Sequence, residues 1–145
     1  MVQVNFYIDT REHTSKELLN SIPDAILTNL EIGDYRIDVS GETVLIIERK
    51  TINDYASSIL DGRNREQKKR LISNYSNQQI VYLIEGDLTK DNSNFKYNKV
   101  SKETIISSVI NTMVRDNIHV FHTSGMDETI AFLTMTYNKF KKQGI

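Results

Sequence analysis

Val4, Phe6 and Ile8 alternate with Asn5, Tyr7 and Asp9, and a period of two marks a strand whose second face is polar. Asp9 stands at the end of that strand. The pattern predicts a short helix over Ser15 to Ile22, stopped by Pro23, and a second strand over Ala25 to Ile32. After Gly33 the alternation resumes, with Tyr35, Ile37 and Val39 set against Asp34, Arg36 and Asp38. A turn at Ser40-Gly41-Glu42 then leads into Thr43 to Lys50, which together predicts a β-hairpin. Its second strand carries Val44-Leu45-Ile46-Ile47 without alternation, so both faces should be covered, as at the centre of a sheet with helices on each side.

Ile52, Tyr55, Ala56, Ile59 and Leu60 follow the i, i+3, i+4, i+7, i+8 stripe of a helix that stops at Asp61-Gly62. A second helix is expected over Arg63 to Tyr75, opening on a basic run. Gln79 to Glu85 is an apolar strand ending in Gly86-Asp87, and the Asn-, Lys- and Ser-rich stretch Thr89 to Lys99 is a loop. Ser101 to Asp116 repeats the helical stripe, followed by a strand from Ile118 to Phe121 and a last helix from about Met126 to Lys142. Strands alternating with helices, plus an early antiparallel hairpin, make an α/β domain with a mixed central sheet flanked by helices.

Length and composition narrow the function classes. The 145 residues suffice for one domain. With 18 Lys+Arg against 19 Asp+Glu, a uniformly basic nucleic-acid coat is excluded and any charge asymmetry must be local. The absence of cysteine excludes disulfides, Cys-ligated zinc, iron–sulfur clusters and thiol catalysis. No apolar run approaches the roughly 18 residues that cross a bilayer, and no secretory leader pattern opens the chain. The expectation is an intracellular protein, nuclear or cytoplasmic, with cellular and viral sources both open.

The sharpest chemical feature is the cluster Asp34, Glu48-Arg49-Lys50 and Asp54. Side chains two apart on a strand share a face, so Glu48 and Lys50 point the same way. Asp34 joins them only in one hairpin register. A two-residue loop at Ser40-Gly41 pairs Asp34 with Ile47 and sends it to the other face, whereas a three-residue loop, Ser40-Gly41-Glu42, sets it opposite Glu48. In the second register two carboxylates can chelate one hard cation such as Mg²⁺, which takes oxygen ligands and keeps several waters. Such an ion activates water and neutralises charge on a phosphate, with Lys50 beside it to orient the water or stabilise the developing anion. Acid pairs beside a lysine also occur as plain solvated salt bridges.

The stretch from Ile32 to Leu71 resembles the nuclease domain of the XPF/Hef family of structure-specific DNA endonucleases, whose signature is GD, a spacer, then ERKxxxD. Gly33-Asp34, Glu48-Arg49-Lys50 and Asp54 meet it. The family's opening D-x-R-E is matched by Asp9 to Glu12, its D-G-R followed by Gln by Asp61-Gly62-Arg63 and Gln67, and its E-G-D-L by Glu85 to Leu88. The resemblance implies a restriction-endonuclease-like fold and a Mg²⁺- or Mn²⁺-dependent endonuclease that cuts near single-strand/double-strand boundaries in flaps, forks and branched DNA, in repair or recombination. It implies Asp34, Glu48 and the Arg49 main-chain carbonyl as metal ligands and Lys50 as catalytic lysine. Asp9, Arg11, Arg49 and Asp54 would be further active-site residues.

Several of these have a second reading. Strand alternation turns the Arg49 side chain away from Glu48 and Lys50. Thr51-x-x-Asp54 is also a capping box for the Ile52 helix. Arg11 also reads as a plain surface arginine, although beside a phosphate site its fork suits a bidentate contact that lysine cannot make. Arg63, Arg65, Lys68, Lys69 and Arg70, with Glu66 alone against them, are candidate contacts to the DNA backbone, although such runs are commonly a solvated helix face. His13, His119 and His122 show no ligand spacing.

The last two helices carry stripes wider than a core face requires: Ile105, Ile106, Val109, Ile110 and Met113 on one, Ile130, Ala131, Leu133, Met135 and Tyr137 on the other. The resemblance implies a dimer through this region, homodimeric or with a related subunit. Family members carry a helix–hairpin–helix domain after the nuclease domain, and residues 1–145 contain none. Two other readings are a catalytically silent DNA-binding or scaffold subunit of a heterodimer and a less specific restriction-like nuclease.

Overall fold

A computed structural model describes residues 2–87, 96–97 and 100–143; Leu88 and most of the stretch from Thr89 to Lys99 lie outside them. The elements run β1 (Val4–Asp9), α1 (Ser15–Ser21), β2 (Ile26–Thr28), β3 (Tyr35–Val39), β4 (Glu42–Thr51), α2 (Ile52–Asp61), α3 (Arg63–Asn74) and β5 (Ile80–Glu85). A two-stranded ladder of β6 (Lys96–Tyr97) and β7 (Val100–Ser101) precedes α4 (Lys102–Ile110), β8 (His119–Thr123) and α5 (Met126–Gln143). The main sheet has six strands in the order β2-β1-β3-β4-β5-β8, with β3 alone antiparallel to its neighbours.

Each face of the sheet is covered. On one side Phe6, Ile8, Tyr35, Ile37, Ile47 and Leu83 pack against Leu18 of α1 and Leu133 and Tyr137 of α5. On the other, Ile46, Ile80, Tyr82 and Ile84 pack against Ile52, Tyr55 and Ala56 of α2, Leu71 of α3 and Ile105 of α4. All six residues of β5 are buried, as expected of a strand without alternation at the centre of such a sheet. Each fully buried aliphatic or aromatic side chain contributes roughly 1.5–3 kcal/mol. Among the described residues no helix is long and apolar enough to cross a membrane.

Three expectations change. The strand predicted over Ala25 to Ile32 is regular only from Ile26 to Thr28. Beyond it the chain peels off the sheet edge because the Leu30 N–H donates to the Asp9 carboxylate instead of to a ladder. The helix predicted to Asp116 widens after Ile110 into a π-turn over Asn111–Arg115, with the Asp116 N–H reaching the Asn111 carbonyl. The hairpin, finally, joins the tip of the shorter loop to the register expected of the longer one. Its tip is the two-residue loop Ser40-Gly41, both at positive φ (52° and 83°), so Val39 pairs with Glu42 and Asp38 with Thr43. A bulge then leaves Val44 unpaired, and Ile37, Arg36 and Tyr35 face Leu45, Ile46 and Ile47. The odd residue is absorbed in the strand rather than in the turn. Continued by one step, that register brings Asp34 level with Glu48, the arrangement expected of the longer loop.

Candidate active site

The strands β1, β4 and β5 run in one direction and end together, and the start of β3 returns to the same edge. Ligand sites in open α/β sheets form at this end. A cleft of about 340 Å³ opens there, lined among others by Asp9, Arg11, Asp34, Glu48, Lys50, Gln67 and Arg70. Seven of the sequence-predicted residues, Asp9, Arg11, Asp34, Glu48, Arg49, Lys50 and Arg70, therefore meet in one place.

Gly33 explains how Asp34 gets there. It adopts φ +80°, and a Cβ on it would lie 2.6 Å from Ile46 Cδ1, so only glycine lets the chain pass close over β4. The Asp34 N–H then donates to the Ile47 carbonyl at 2.8 Å, and its Oδ2 accepts the Arg49 N–H at 2.7 Å. Its carboxyl is pushed up to about 8, first by burial and then by the negative charges of Glu48 and Glu12. Burial raises Glu48 as well, against the pull of Lys50, whose Nζ lies 3.9 Å from Glu48 Oε1. Two acids this buried and this close cannot both ionise cheaply without a cation.

The donor set suits a hard divalent ion. Asp34 and Glu48 bring two carboxylates to a cleft that Arg49 also lines, and Mg²⁺ accepts so sparse an oxygen set because water completes its shell. Among the described residues no group of three or more His, Cys, Asp or Glu side chains is placed to hold a metal ion.

Asp9 plays a different part from Asp34. It is 1% exposed, and its two oxygens are taken by the Leu30 N–H at 2.9 Å and the Arg11 Nε at 2.8 Å. Burial opposes its ionisation, but these hydrogen bonds win and hold it below the usual carboxylate range. Asp9 thus aims Arg11, whose side chain is 76% exposed at the cleft mouth, toward the field of Asp34 and Glu48.

Arg49 lies on β4 with its side chain behind the cleft, as alternation predicts. The guanidinium contacts Glu85 through Nε at 3.0 Å and Nη2 at 2.7 Å, and stands 3.6 Å from Glu12. Glu12, raised chiefly by burial, accepts the Tyr35 hydroxyl. Asp54 is exposed in the first turn of α2, outside the cleft lining, and its N–H donates to Thr51 Oγ1 at 3.1 Å, which is the helix cap.

The basic run divides by helix face. Gln67 and Arg70, three apart, line the cleft, with Arg70 also donating to the Glu31 carbonyl. Arg65 and Lys68, also three apart, face a second cleft of about 530 Å³ shared with Arg115. Lys68 is held there by Thr112 and Asp116, both at 2.9 Å. Arg63 folds back on Asp61 at 2.8 Å, and Lys69 is exposed. Sequence reasoning assigned no role to Glu12, Gln67 or Glu85, although each sits in a block matched to the family pattern; those blocks were the available signal.

The six-stranded mixed sheet with helices on both faces and acidic residues at its strand ends defines a restriction-endonuclease-like domain of the XPF type. The chain is similar to XPF from Aeropyrum pernix, with a TM-score of 0.76 at 22% identity over 96% of this chain and 66% of that one. The same protein in complex with DNA gives 0.74 at 24% identity, covering 97% and 66%. The family model "ERCC4 domain" matches residues 8–136, and the chain belongs to the ERCC4 domain family.

Its curated relatives include the ERCC4 domain-containing protein EP364R of African swine fever virus, strain Badajoz 1971 Vero-adapted, 34% identical over 119 residues, covering 81% of this chain and 32% of that protein. The probable crossover junction endonuclease mus81 of Dictyostelium discoideum is 30% identical, covering 94% of this chain and 16% of its own. The structure-specific endonuclease subunit MUS81 of Homo sapiens is 38% identical over 97 residues, covering 66% and 16%. The chain spans a third or less of the length of these relatives.

Proposed function

We propose that this domain is a divalent-metal-dependent endonuclease that hydrolyses a phosphodiester near single-strand/double-strand junctions in flap, fork or branched DNA, in repair or recombination. The observation that carries the reading is the hairpin register that gathers Asp34, Glu48 and Lys50 in one cleft with Arg11 and Arg70 at its mouth. Relatives named as structure-specific or crossover junction endonucleases support the same chemistry.

Asp34, Glu48 and the Arg49 carbonyl would hold Mg²⁺ or Mn²⁺. Such a cation, when bound, supplies Lewis acidity to the phosphate and lowers the pKa of bound water. Lys50 orients the attacking water and stabilises the developing charge. Arg11, held by Asp9, grips a nonbridging phosphate oxygen in a planar, directional contact. Arg70 extends that grip, and Arg65, Lys69 and Arg63 add exposed charge toward the DNA backbone. Lys68, already paired with Asp116, contributes to the walls of the second cleft.

Assembly belongs to the same reading. Leu133 and Tyr137 are consumed by the core, whereas Met135, Ala131 and Phe121 stay exposed along α5 and β8, and Ile106, Ile110 and Met113 along α4 and its π-turn. This supports a dimer through the C-terminal region, with a second copy or a related subunit.

The test is a substrate panel of flap, fork, linear duplex and single strand, with and without Mg²⁺ or Mn²⁺. Cutting of the branched substrates only with metal, abolished by Asp34→Asn and by Glu48→Gln in folded protein, is the expected result. Equal cutting of linear duplex would point to a less specific nuclease, and no cutting under any metal to a silent subunit. Undiminished activity in both variants would refute the site.

A further inference from the structure

Glu85 ends β5 in a place where a carboxylate is costly. It is 8% exposed, it lies behind the cleft rather than in it, and the reading above gives it no chemical task. Every group around it is nevertheless specific. Its two oxygens take the Arg49 guanidinium edge-on, at 3.0 and 2.7 Å. Oε1 also accepts the Thr129 hydroxyl at 2.6 Å, from the first turns of α5. A hydroxyl has one proton, so Thr129 must in turn accept from Thr123 Oγ1 at 2.7 Å, at the end of β8. Both threonines are fully buried. Burial opposes the charge on Glu85, but the bonds from Arg49 and Thr129 outweigh it, and the carboxyl is held below its usual range.

The chain of contacts continues forward. Arg49 spans from Glu85 to Glu12, which lies just past the end of β1, so it braces three strand ends from behind. Its own N–H holds the Asp34 carboxylate at 2.7 Å, and Glu48 and Lys50 flank it on the opposite face of the same strand. Without Glu85 the buried guanidinium keeps, among the described residues, only Glu12 as an ion-pair partner, at 3.6 Å and already engaged by Tyr35. It would then turn toward whatever acceptor it can reach, carrying its backbone with it.

We infer that Glu85 is a positioning residue for the candidate metal site: through Arg49 it fixes the main chain that holds Asp34 and presents Glu48 and Lys50, and Thr129 ties this brace to α5. The inference rests on the nuclease reading for its catalytic arm and is independent of it for its binding arm. Partners of this kind, one shell removed from a metal, typically change affinity or activity about 10–100-fold.

The test uses Glu85→Gln, close in shape but uncharged, with Thr129→Val, Arg49→Met and the double variant Arg49→Met/Glu85→Gln, each first checked for its fold by circular dichroism and thermal unfolding. Mn²⁺ binding is measured by calorimetry on DNA-free protein, and kcat and KM on a flap substrate. Glu85→Gln is expected to weaken Mn²⁺ binding and lower kcat by about 10-fold or more with KM nearly unchanged, and Thr129→Val to do so more weakly. Because Glu85 acts through Arg49, the double variant should be no worse than Arg49→Met alone. Wild-type Mn²⁺ affinity and kcat in folded Glu85→Gln, or losses that multiply in the double variant, would overturn the inference. Should Glu85→Gln not fold, Thr129→Val with wild-type Mn²⁺ affinity and kcat would overturn it equally. A chain that cuts no DNA at all refutes the nuclease reading and leaves the Mn²⁺ arm to decide this one.

Discussion

Replacing Gly33 by alanine tests the link between one backbone conformation and the whole cleft. The substitution meets two costs. At φ +80° a side chain enters the left-handed region, at about 1–2 kcal/mol. The new Cβ would also stand 2.6 Å from Ile46 Cδ1 and 2.7 Å from Cγ1, with the Ile47 carbonyl at 3.5 Å. Ile46 is fully buried among Ile52, Tyr55 and Leu71 and is stiff at its branched Cβ, so relief needs core movement, at about 1–3 kcal/mol. Together the expected loss is about 2–5 kcal/mol, a large part of a typical domain's roughly 5–15 kcal/mol. Equilibrium urea unfolding at fixed m-value measures it. Ile46→Ala removes both clashing carbons, so in a double-mutant cycle the steric part, about 1–3 kcal/mol, should reappear as favourable coupling while the backbone part remains. Nicking should fall further than stability alone explains, because Asp34 is the next residue. A loss below about 0.5 kcal/mol, the range of neutral surface changes, would refute both the conformational and the packing argument.

Two other outcomes follow from the geometry. The Asp34 carboxyl sits at about 8 in the folded chain against an ordinary 3.8, so its contribution to stability is complete below about pH 4 and is lost as pH rises through about 8. In EDTA, Tm should therefore decline from pH 5 to 9, Asp34→Asn should flatten the decline, and Mn²⁺ should reverse it in the wild type alone; an identical slope in the variant would contradict the assignment. Met135 is 62% exposed on α5 near Phe121, and Met135→Lys should shift sedimentation from dimer to monomer with little change in Tm; a wild type that sediments as a monomer at high concentration would remove the dimer.

Much of the architecture was legible because periodicity is a local record of burial. The Ile52 stripe with its Thr51 cap and Gly62 stop reproduces α2, and the unbroken apolar run of β5 reproduces a strand covered on both sides. β2 was legible as a strand but not in its extent, since Ile26 and Leu27 are apolar yet exposed on a sheet edge, where composition overstates pairing. The hairpin register depends on how β3 packs on β1 and β4 on β5, and no turn residue encodes the bulge at Val44. The division of the basic run follows from spacing alone, with 67 and 70 on one helix face and 65 and 68 on another. The bond between Glu85 and Thr129 joins residues 44 apart in sequence, beyond any local pattern.

The bulge has a consequence for how such domains can vary. The unpaired Val44 lies between the two pairs next to the Ser40-Gly41 tip and the three pairs that lead to the cleft, so the tip and the cleft are mechanically separate. Added or lost residues can be taken up at the bulge or the tip while Asp34 stays level with Glu48. The linear interval between the two acids is therefore free to drift, and a sequence search that fixes it at thirteen intervening residues would pass over proteins with the same chemistry. For the engineer, the same separation makes Ser40-Gly41 a natural seam for grafting a fluorophore, a tag or a targeting module onto the cutting domain.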